Sequence, residues 1–441
     1  MSEDTVNPST DRDSLTATLA AATCALLGTA LAAPVAAEET NRWSVDSSLL
    51  YYGESDSRVQ DVSAAVSGVR NFGDDRSLAL TLTADTLTGA SASGAIALDR
   101  PQTFTSPSGK ATYTTAAGDV PLDDTFRDTR FALNGSWNQP LARLYTVSAG
   151  LGFSVEHDYT HIGANLALAR DFNKRNTTVN FGLAYSQDEI NPEGGAPLPL
   201  SQMLDVGNSS NKLDTDTKNV IDALVGFTQV LGRNTVLRMN YSYSDSSGYL
   251  NDPYKFLSVV DPLTGDTITR VPTGQGPDGV YVFESRPDTR VKQSVFAEVK
   301  HAFGAPVAHF SYRFMTDDWG IDSQTVDARL RWPVGAASFI EPQLRYYMQN
   351  EADFYRSSLV NGQPLPQYAS ADFRLGNFDA VTVGLKFGHR TAEGNEWTTR
   401  LEFYQQTGDI PANQIIGNQA NREQYPDLSA VIAQFSYRFG I

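Results

Sequence analysis

The chain has 441 residues, a formal charge of −17, 22 Phe, 19 Tyr, 5 Trp and a single cysteine. One cysteine excludes an internal disulfide or a cysteine-built zinc module, and the negative charge argues against chain-wide attraction to nucleic acid. With 41% hydrophobic residues the chain is too polar for a helical membrane protein, yet 10% aromatic is too rich for a disordered acidic chain.

The first element is an export signal. Residues 15–33 are almost entirely Ala, Leu and Thr, and Val35-Ala36-Ala37 before Glu38 fits a small-residue cleavage site. The flank is unusual, with Arg12 outnumbered by Glu3, Asp4, Asp11 and Asp13. A transmembrane anchor needs about 20 strongly apolar residues and fits this Ala/Thr-rich stretch less well. Cys24 has a poor lead-in for lipoprotein acylation and reads as part of the apolar region. The expected organisation is a signal peptide over 1–37 and one domain over 38–441.

Beyond Glu38 the dominant pattern is period two, the spacing of β-strands. Leu78, Leu80, Leu82 and Ala84 share one face while Ser77, Thr81, Thr83 and Asp85 share the other. Strands are expected near 43–52, 61–70, 77–87, 128–138, 144–156, 160–170, 177–187, 219–231, 235–245, 290–302, 307–317, 323–332, 338–349, 374–387, 396–407 and 430–441. No later apolar run is long enough for a spanning helix.

The connections alternate in length. Short ones at 71–76, 139–143, 171–176, 232–234, 303–306, 333–337 and 388–395 are interleaved with mostly longer ones, including 88–127, 188–218, 246–289, 350–373 and 408–429. This describes an all-β transmembrane antiparallel barrel of about 16 strands, with short periplasmic turns and long extracellular loops, in the cell outer membrane. A sandwich tandem would need linkers and a propeller would need a repeat of roughly 40 to 50 residues, and neither is visible. The closing segment Phe435-Ser436-Tyr437-Arg438-Phe439-Gly440-Ile441 resembles the aromatic terminal strand read by the outer-membrane barrel assembly machinery, with Ile in place of the usual final Phe. With the first strand so near the cleavage site, no plug, periplasmic assembly module or secreted passenger is expected.

If the apolar set meets lipid, the opposite set lines the lumen. Its charged members include Arg238, Lys292, Glu298, Lys300, Asp327, Arg329, Arg331, Arg345, Arg400, Glu402 and Arg438, with positive side chains in excess. Rings of Arg and Lys favour anions, so one reading is a channel for small hydrophilic, chiefly anionic, solutes; the other is that Arg/Glu pairs cross-link the wall and fill the space. Glu156, His157 and His161 form a candidate metal group, against a plain solvated hairpin. Residues 317–322, Asp-Asp-Trp-Gly-Ile-Asp, could take Ca²⁺ or face lipopolysaccharide-bound cations, or be a plain turn. Asp123, Asp124, Arg127, Asp128 and Arg130 read as a salt-bridged loop base. No Ser/His spacing nominates a catalytic residue, and no cofactor motif is present, so a barrel-embedded hydrolase is the least favoured reading.

Several phrases resemble an outer-membrane barrel family known as domain of unknown function 3570. They are Thr88-Gly89-Ala90-Ser91, Pro121 to Arg130, Phe172 to Thr177, Gly248 to Lys255, Glu284-Ser285-Arg286-Pro287-Asp288, Asp317 to Ile321 and Leu344-Arg345-Tyr346-Tyr347. The resemblance implies a barrel with no established activity. It also implies a genetic setting of thioredoxin-like proteins, small lipoproteins and a flavin transferase, hence a structural or docking barrel of an envelope redox or metal-handling complex. Expected partners are outer-membrane lipid and lipopolysaccharide, the assembly machinery, and periplasmic or lipoprotein partners, with no nucleic acid.

Overall fold

The computed structural model describes residues 42–55 and 58–441, without the side chains of residues 90 and 124–126. The expected signal peptide lies outside the described residues. Sixteen strands close into one antiparallel barrel. They are β1 Trp43–Glu54, β2 Gln60–Gly73, β3 Arg76–Ala92, β4 Leu122–Ala142, β5 Tyr145–Val155, β6 Tyr159–Phe172, β7 Thr177–Ile190 and β8 Asp216–Gly232. The second half comprises β9 Thr235–Gly248, β10 Thr289–Ala302, β11 Val307–Asp317, β12 Asp322–Val334, β13 Ser338–Gln349, β14 Asn377–Arg390, β15 Glu396–Asp409 and β16 Leu428–Gly440. Each pairs with its chain neighbours, and β1 closes onto β16 from Ser44↔Gly440 to Glu54↔Ala430. Closure leaves no open edge, the condition for a strand structure to cross lipid.

The alternation sets which side chains face out. On β7, Val179, Phe181, Leu183 and Tyr185 are 38–49% exposed, whereas Asn180, Ala184, Ser186 and Asp188 between and beyond them are at most 8% exposed. The same inversion runs around the wall, with Leu49, Leu82, Phe131, Leu151, Ile162, Phe310, Leu344 and Phe403 all bare. A continuous apolar belt of this size is far above the few hundred Å² tolerated in water, so hydrocarbon is its physical environment.

Two aromatic zones bound the belt. Toward the long loops, outward tyrosines donate across to the neighbouring strand: Tyr185 to Asn219 (2.8 Å), Tyr241 to Gln293 (2.8 Å), Tyr312 to Gln324 (3.0 Å) and Tyr346 to Asp379 (2.8 Å). Toward the short turns, Phe72 packs on Trp137, Phe387 on Trp397 and Tyr437 on Phe439, and Arg170 lies 4.5 Å over the Phe172 ring. From Gln293 to Phe303 the tilted chain covers roughly 25 Å, the height of an outer-membrane apolar band. Amphipathic rings at both boundaries keep a polar tip in the interface.

The strands run longer than periodicity implied. β3 and β4 continue as a hairpin past the rim, with Thr88 to Ala92 paired to Arg127 to Leu122 across an irregularity at Gly89/Ser91. This stretch is Thr/Ser/Asp-rich and carries no apolar alternation, because outside lipid a strand needs only its backbone bonds. Gly89 supplies the bend at φ +123°, where a Cβ would collide with the Arg58 carbonyl. In the opposite sense, β14 begins at Asn377 and Phe373–Leu375 form a 3₁₀ turn.

The packed apolar core lies in the long loops. Segments 93–121, 191–215, 249–288, 350–376 and 410–427 fold together as a cap. Phe256–Val260 pairs antiparallel with Tyr281–Phe283 and parallel with Leu359–Val360, joining two loops in one small sheet. Phe104, fully buried, packs its ring at a tilt 4.7 Å from that of Tyr281 and 5.5 Å from that of Phe256. Arg422 clasps Asp99 and Asp266, both at 2.8 Å, and Gly265 (φ +71°) allows the Ile416 carbonyl to approach where a Cβ would block it.

Candidate functional site

The inner wall carries the charged residues that alternation assigned to it, and it pairs most of them. Arg329 lies 2.7 Å from Asp327, Arg400 3.2 Å from Glu402, and Arg438 2.9 Å from Asp46. Glu298 sits between Arg238 (3.8 Å) and Lys300 (3.9 Å). Arg345 faces Asp327 in register, and Lys292 stands between Ser244 and Asp317. The Arg331 guanidinium covers the Phe339 ring at 3.6 Å. Carboxylates of β1, β10, β12 and β15 thus stand alongside these cations, and charge along this part of the wall is locally paired. Asp46 and Asp222 belong to this inner set and were not singled out; the signal was available, since both have the inward parity of their strands.

Nearer the cap, the proposed metal group does not assemble. His161 points inward and its Nδ1 lies 2.6 Å from Asp188 Oδ1. Asp188, fully buried, also holds Lys218 at 2.7 Å, and Lys218 donates to the Tyr159 hydroxyl at 3.1 Å. His157 is exposed and contributes its backbone N–H to Asp128 at 3.2 Å. Glu156 gathers instead with Asp128 and Asp158, their carboxylate oxygens within 4.8 Å of one another. The physical reason is register: His161 lies directly opposite Asp188 on β7, which turns it away from the β5–β6 connection holding Glu156. Burial, then the nearby Asp128 charge, pushes the Glu156 carboxyl up to about 8. Burial likewise raises Asp158, which accepts a hydrogen bond from the Tyr254 hydroxyl.

The loop base is ion-paired through Arg130, which reaches Asp85 on β3 at 3.0 Å rather than a carboxylate in its own segment. Asp128 turns to the β5–β6 connection, Arg127 is exposed opposite Thr88, Asp123 is half-buried opposite Ser91, and the Asp124 side chain lies outside the described residues. In the Asp317–Asp322 turn, Asp317 and Asp318 are engaged by the turn's own amides and by β10. Asp317 pairs with Arg290 at 2.6 Å and accepts from the Trp319 and Ile321 amides, while Asp318 accepts from the Val291 amide at 2.9 Å.

The densest polar arrangement was not anticipated. Asp252 and Lys255 of the β9–β10 loop, Glu284 and Arg286 further along it, and Asp372 and Arg374 of the β13–β14 loop meet in a single hub. Arg286 is 2.6 Å from Glu284 and 2.8 Å from Asp372; Arg374 is 2.5 Å from both Asp372 and Asp252. Glu284 also accepts from the Asp252 amide and the Ser370 hydroxyl, each at 2.5 Å. Lys255 donates to Ser91 Oγ at 2.7 Å and to the Ala92 carbonyl at 2.6 Å. Lys255, Glu284, Arg286 and Asp372 are at most 8% exposed. Against the opposing effect of burial, Arg374 and Arg286 hold the Asp372 carboxyl far below the usual range. Burial dominates at Glu284 and raises its carboxyl. Four of these residues lie in the phrases Gly248 to Lys255 and Glu284 to Asp288, so sequence marked the segments without showing that they meet.

The profile of the family described as a protein of unknown function, DUF3570, matches residues 16–439. The chain belongs to this family. No curated protein matches this DUF3570 chain. Among solved structures it is similar to a CymD monoaromatic hydrocarbon channel, with 9% identity over 91% of this chain and 89% of that one, at a TM-score of 0.41. It is similar to a mutant of the ferric enterobactin receptor PfeA of Pseudomonas aeruginosa in complex with enterobactin, with 11% identity over 90% of this chain and 60% of the receptor, at a TM-score of 0.42. A bacterial polysaccharide outer membrane secretin gives 11% identity over 91% and 100% of the two chains, also at 0.42.

Proposed function

We propose that this DUF3570 protein is a Gram-negative outer-membrane barrel that passes small hydrophilic solutes through a lumen restricted at its extracellular mouth. The observation that carries the reading is the combination of an inward polar wall, an outward apolar belt and a folded loop cap at one end. A sixteen-strand wall encloses space beyond what its own side chains fill. Because Arg238, Arg329, Arg400 and Arg438 each have a carboxylate within 4 Å, the expected discrimination between anions and cations is weak, and size is the main filter.

Planar-bilayer recording of the purified protein tests this. The expected result is small conductance steps with at most a few-fold preference for either ion sign. A barrel that seals the bilayer contradicts conduction, and strong anion selectivity contradicts the pairing argument.

A second reading, a docking barrel within an envelope assembly, is favoured by the cap itself: five long loops fold into an ordered surface instead of separate flaps. Cross-linking from cap residues in native membranes tests it, and recovery of assembly chaperones alone counts against it.

A further inference from the structure

The hub residues belong to loops rooted far apart on the wall. Lys255 is bonded to Ser91 and Ala92 at the end of β3. Its backbone amide bonds the Asp252 carbonyl at 3.2 Å, Asp252 holds Arg374, and the Arg374 carbonyl accepts from Gln349 on β13 at 3.0 Å. By the shorter way around the barrel β3 and β13 are six steps apart, with β2, β1, β16, β15 and β14 between them. A bonded path between them crosses the mouth instead of following its rim.

We infer that Asp252, Lys255, Glu284, Arg286, Asp372 and Arg374 form a latch that couples the β3–β4, β9–β10 and β13–β14 loops, so that the extracellular mouth opens only when all three release together. The inference deepens the conduction reading by naming what controls the same passage. Three carboxylates balance three cations, and the key members serve two or more partners each. Asp372 bonds both Arg286 and Arg374, and Glu284 bonds Arg286, Ser370 and the Asp252 amide. No single loop can leave without stranding a buried charge, a penalty much larger than the loss of an exposed pair. A unit of this kind has two arrangements rather than a graded series.

Two variants break the hub, Asp372→Asn and Arg286→Met, and one pair of cysteines locks it. Ser285 and Ala369 exchange both backbone hydrogen bonds at 2.8 Å across the same two loops, so Ser285→Cys with Ala369→Cys places a disulfide beside the hub. Conductance is recorded in planar bilayers, and hydrogen–deuterium exchange is followed in segments 93–121, 249–288 and 350–376. The latch predicts a several-fold rise in conductance in either hub variant, faster exchange in all three segments at once, and a fall below the wild-type level when the cysteine pair is oxidised in the Asp372→Asn background, because the disulfide also stops the openings that an intact hub still permits. Unchanged conductance alongside faster exchange overturns it, as does acceleration confined to one segment. Where a hub variant fails to fold, the oxidised and reduced forms of the cysteine pair in the otherwise wild-type protein decide: higher conductance on reduction upholds the latch, and equal conductance overturns it. If no form conducts, the conduction reading falls and exchange alone judges the latch: concerted acceleration upholds it, isolated acceleration overturns it.

Discussion

Leu151 on β5 is 71% exposed and Phe104 in the cap is fully buried, yet both are placed by the same preference of apolar surface for apolar surroundings. The wall finds those surroundings in lipid and turns its apolar residues outward. The cap stands in water and must build its own core, from Phe104, Phe256, Tyr281 and Phe283 in one cluster and Leu257, Val282, Leu359 and Ala369 in another. Charge follows the same division. Wall charges pair with one or two near neighbours on the same or the adjacent strand, whereas hub charges from two separate loops meet in one buried network and depend on one another. The wall resembles a folded soluble protein turned inside out, and the cap resembles a small soluble domain made from loops.

The largest effect expected on this contrast is in the cap core. Phe104→Ala removes a fully buried ring and costs about 3–5 kcal/mol of cap stability. Limited proteolysis should then cut segment 249–288 readily while the barrel keeps its heat-modifiable mobility on gels. Loss of the barrel together with the cap would show that the two regions fold as one unit.

On the wall, Leu151→Arg places a charge in the middle of the apolar belt and should cost roughly 2–4 kcal/mol of folding into lipid vesicles, read by denaturant titration. Little or no loss would mean that this face does not meet hydrocarbon.

At the boundary between the regions, Glu156 gives a pH signature. Its folded carboxyl is raised to about 8, so the folded state holds a proton that the unfolded chain releases near the ordinary value of about 4.5. The contribution is fully present below that ordinary value and is lost as pH rises through about 8. Thermal midpoints of Glu156→Gln should therefore pull ahead of wild type as pH climbs through this window. Parallel curves would place Glu156 in water.

The smallest effect is expected where the wall pairs its charges. Arg438→Gln removes a partly exposed cation from the partly exposed Asp46, and the stability change should stay within about 0.2–1 kcal/mol. Ion preference should shift slightly toward cations in bilayer recordings. A large shift toward cations would mean that Arg438 governs the field of the passage.

Sequence made the wall legible because period two is dictated by each strand separately: sixteen expected segments correspond to sixteen observed strands, and inward Arg238, Asp327 and Arg438 follow from parity alone. Pairing partners were less legible, since Asp46 meets Arg438 only through closure of the first strand on the last. The cap was illegible for a deeper reason. Arg374 meets Asp252 across 122 residues of sequence and Lys255 meets Ser91 across 164, and no local spacing encodes such contacts. Alternation alone places Arg374 at the start of a strand, whereas it lies inside a 3₁₀ turn that Asp372 caps by accepting from the Arg374 amide.

The claim on which the account turns is that loops from distant parts of the wall meet over the mouth. The direct measurement is oxidation of the Ser285→Cys, Ala369→Cys pair, in a Cys24→Ser background, in intact outer membranes. The account predicts rapid, nearly complete disulfide formation and a gel shift reversed by reductant. Two thiols that stay free and equally reactive toward a bulky maleimide would contradict it.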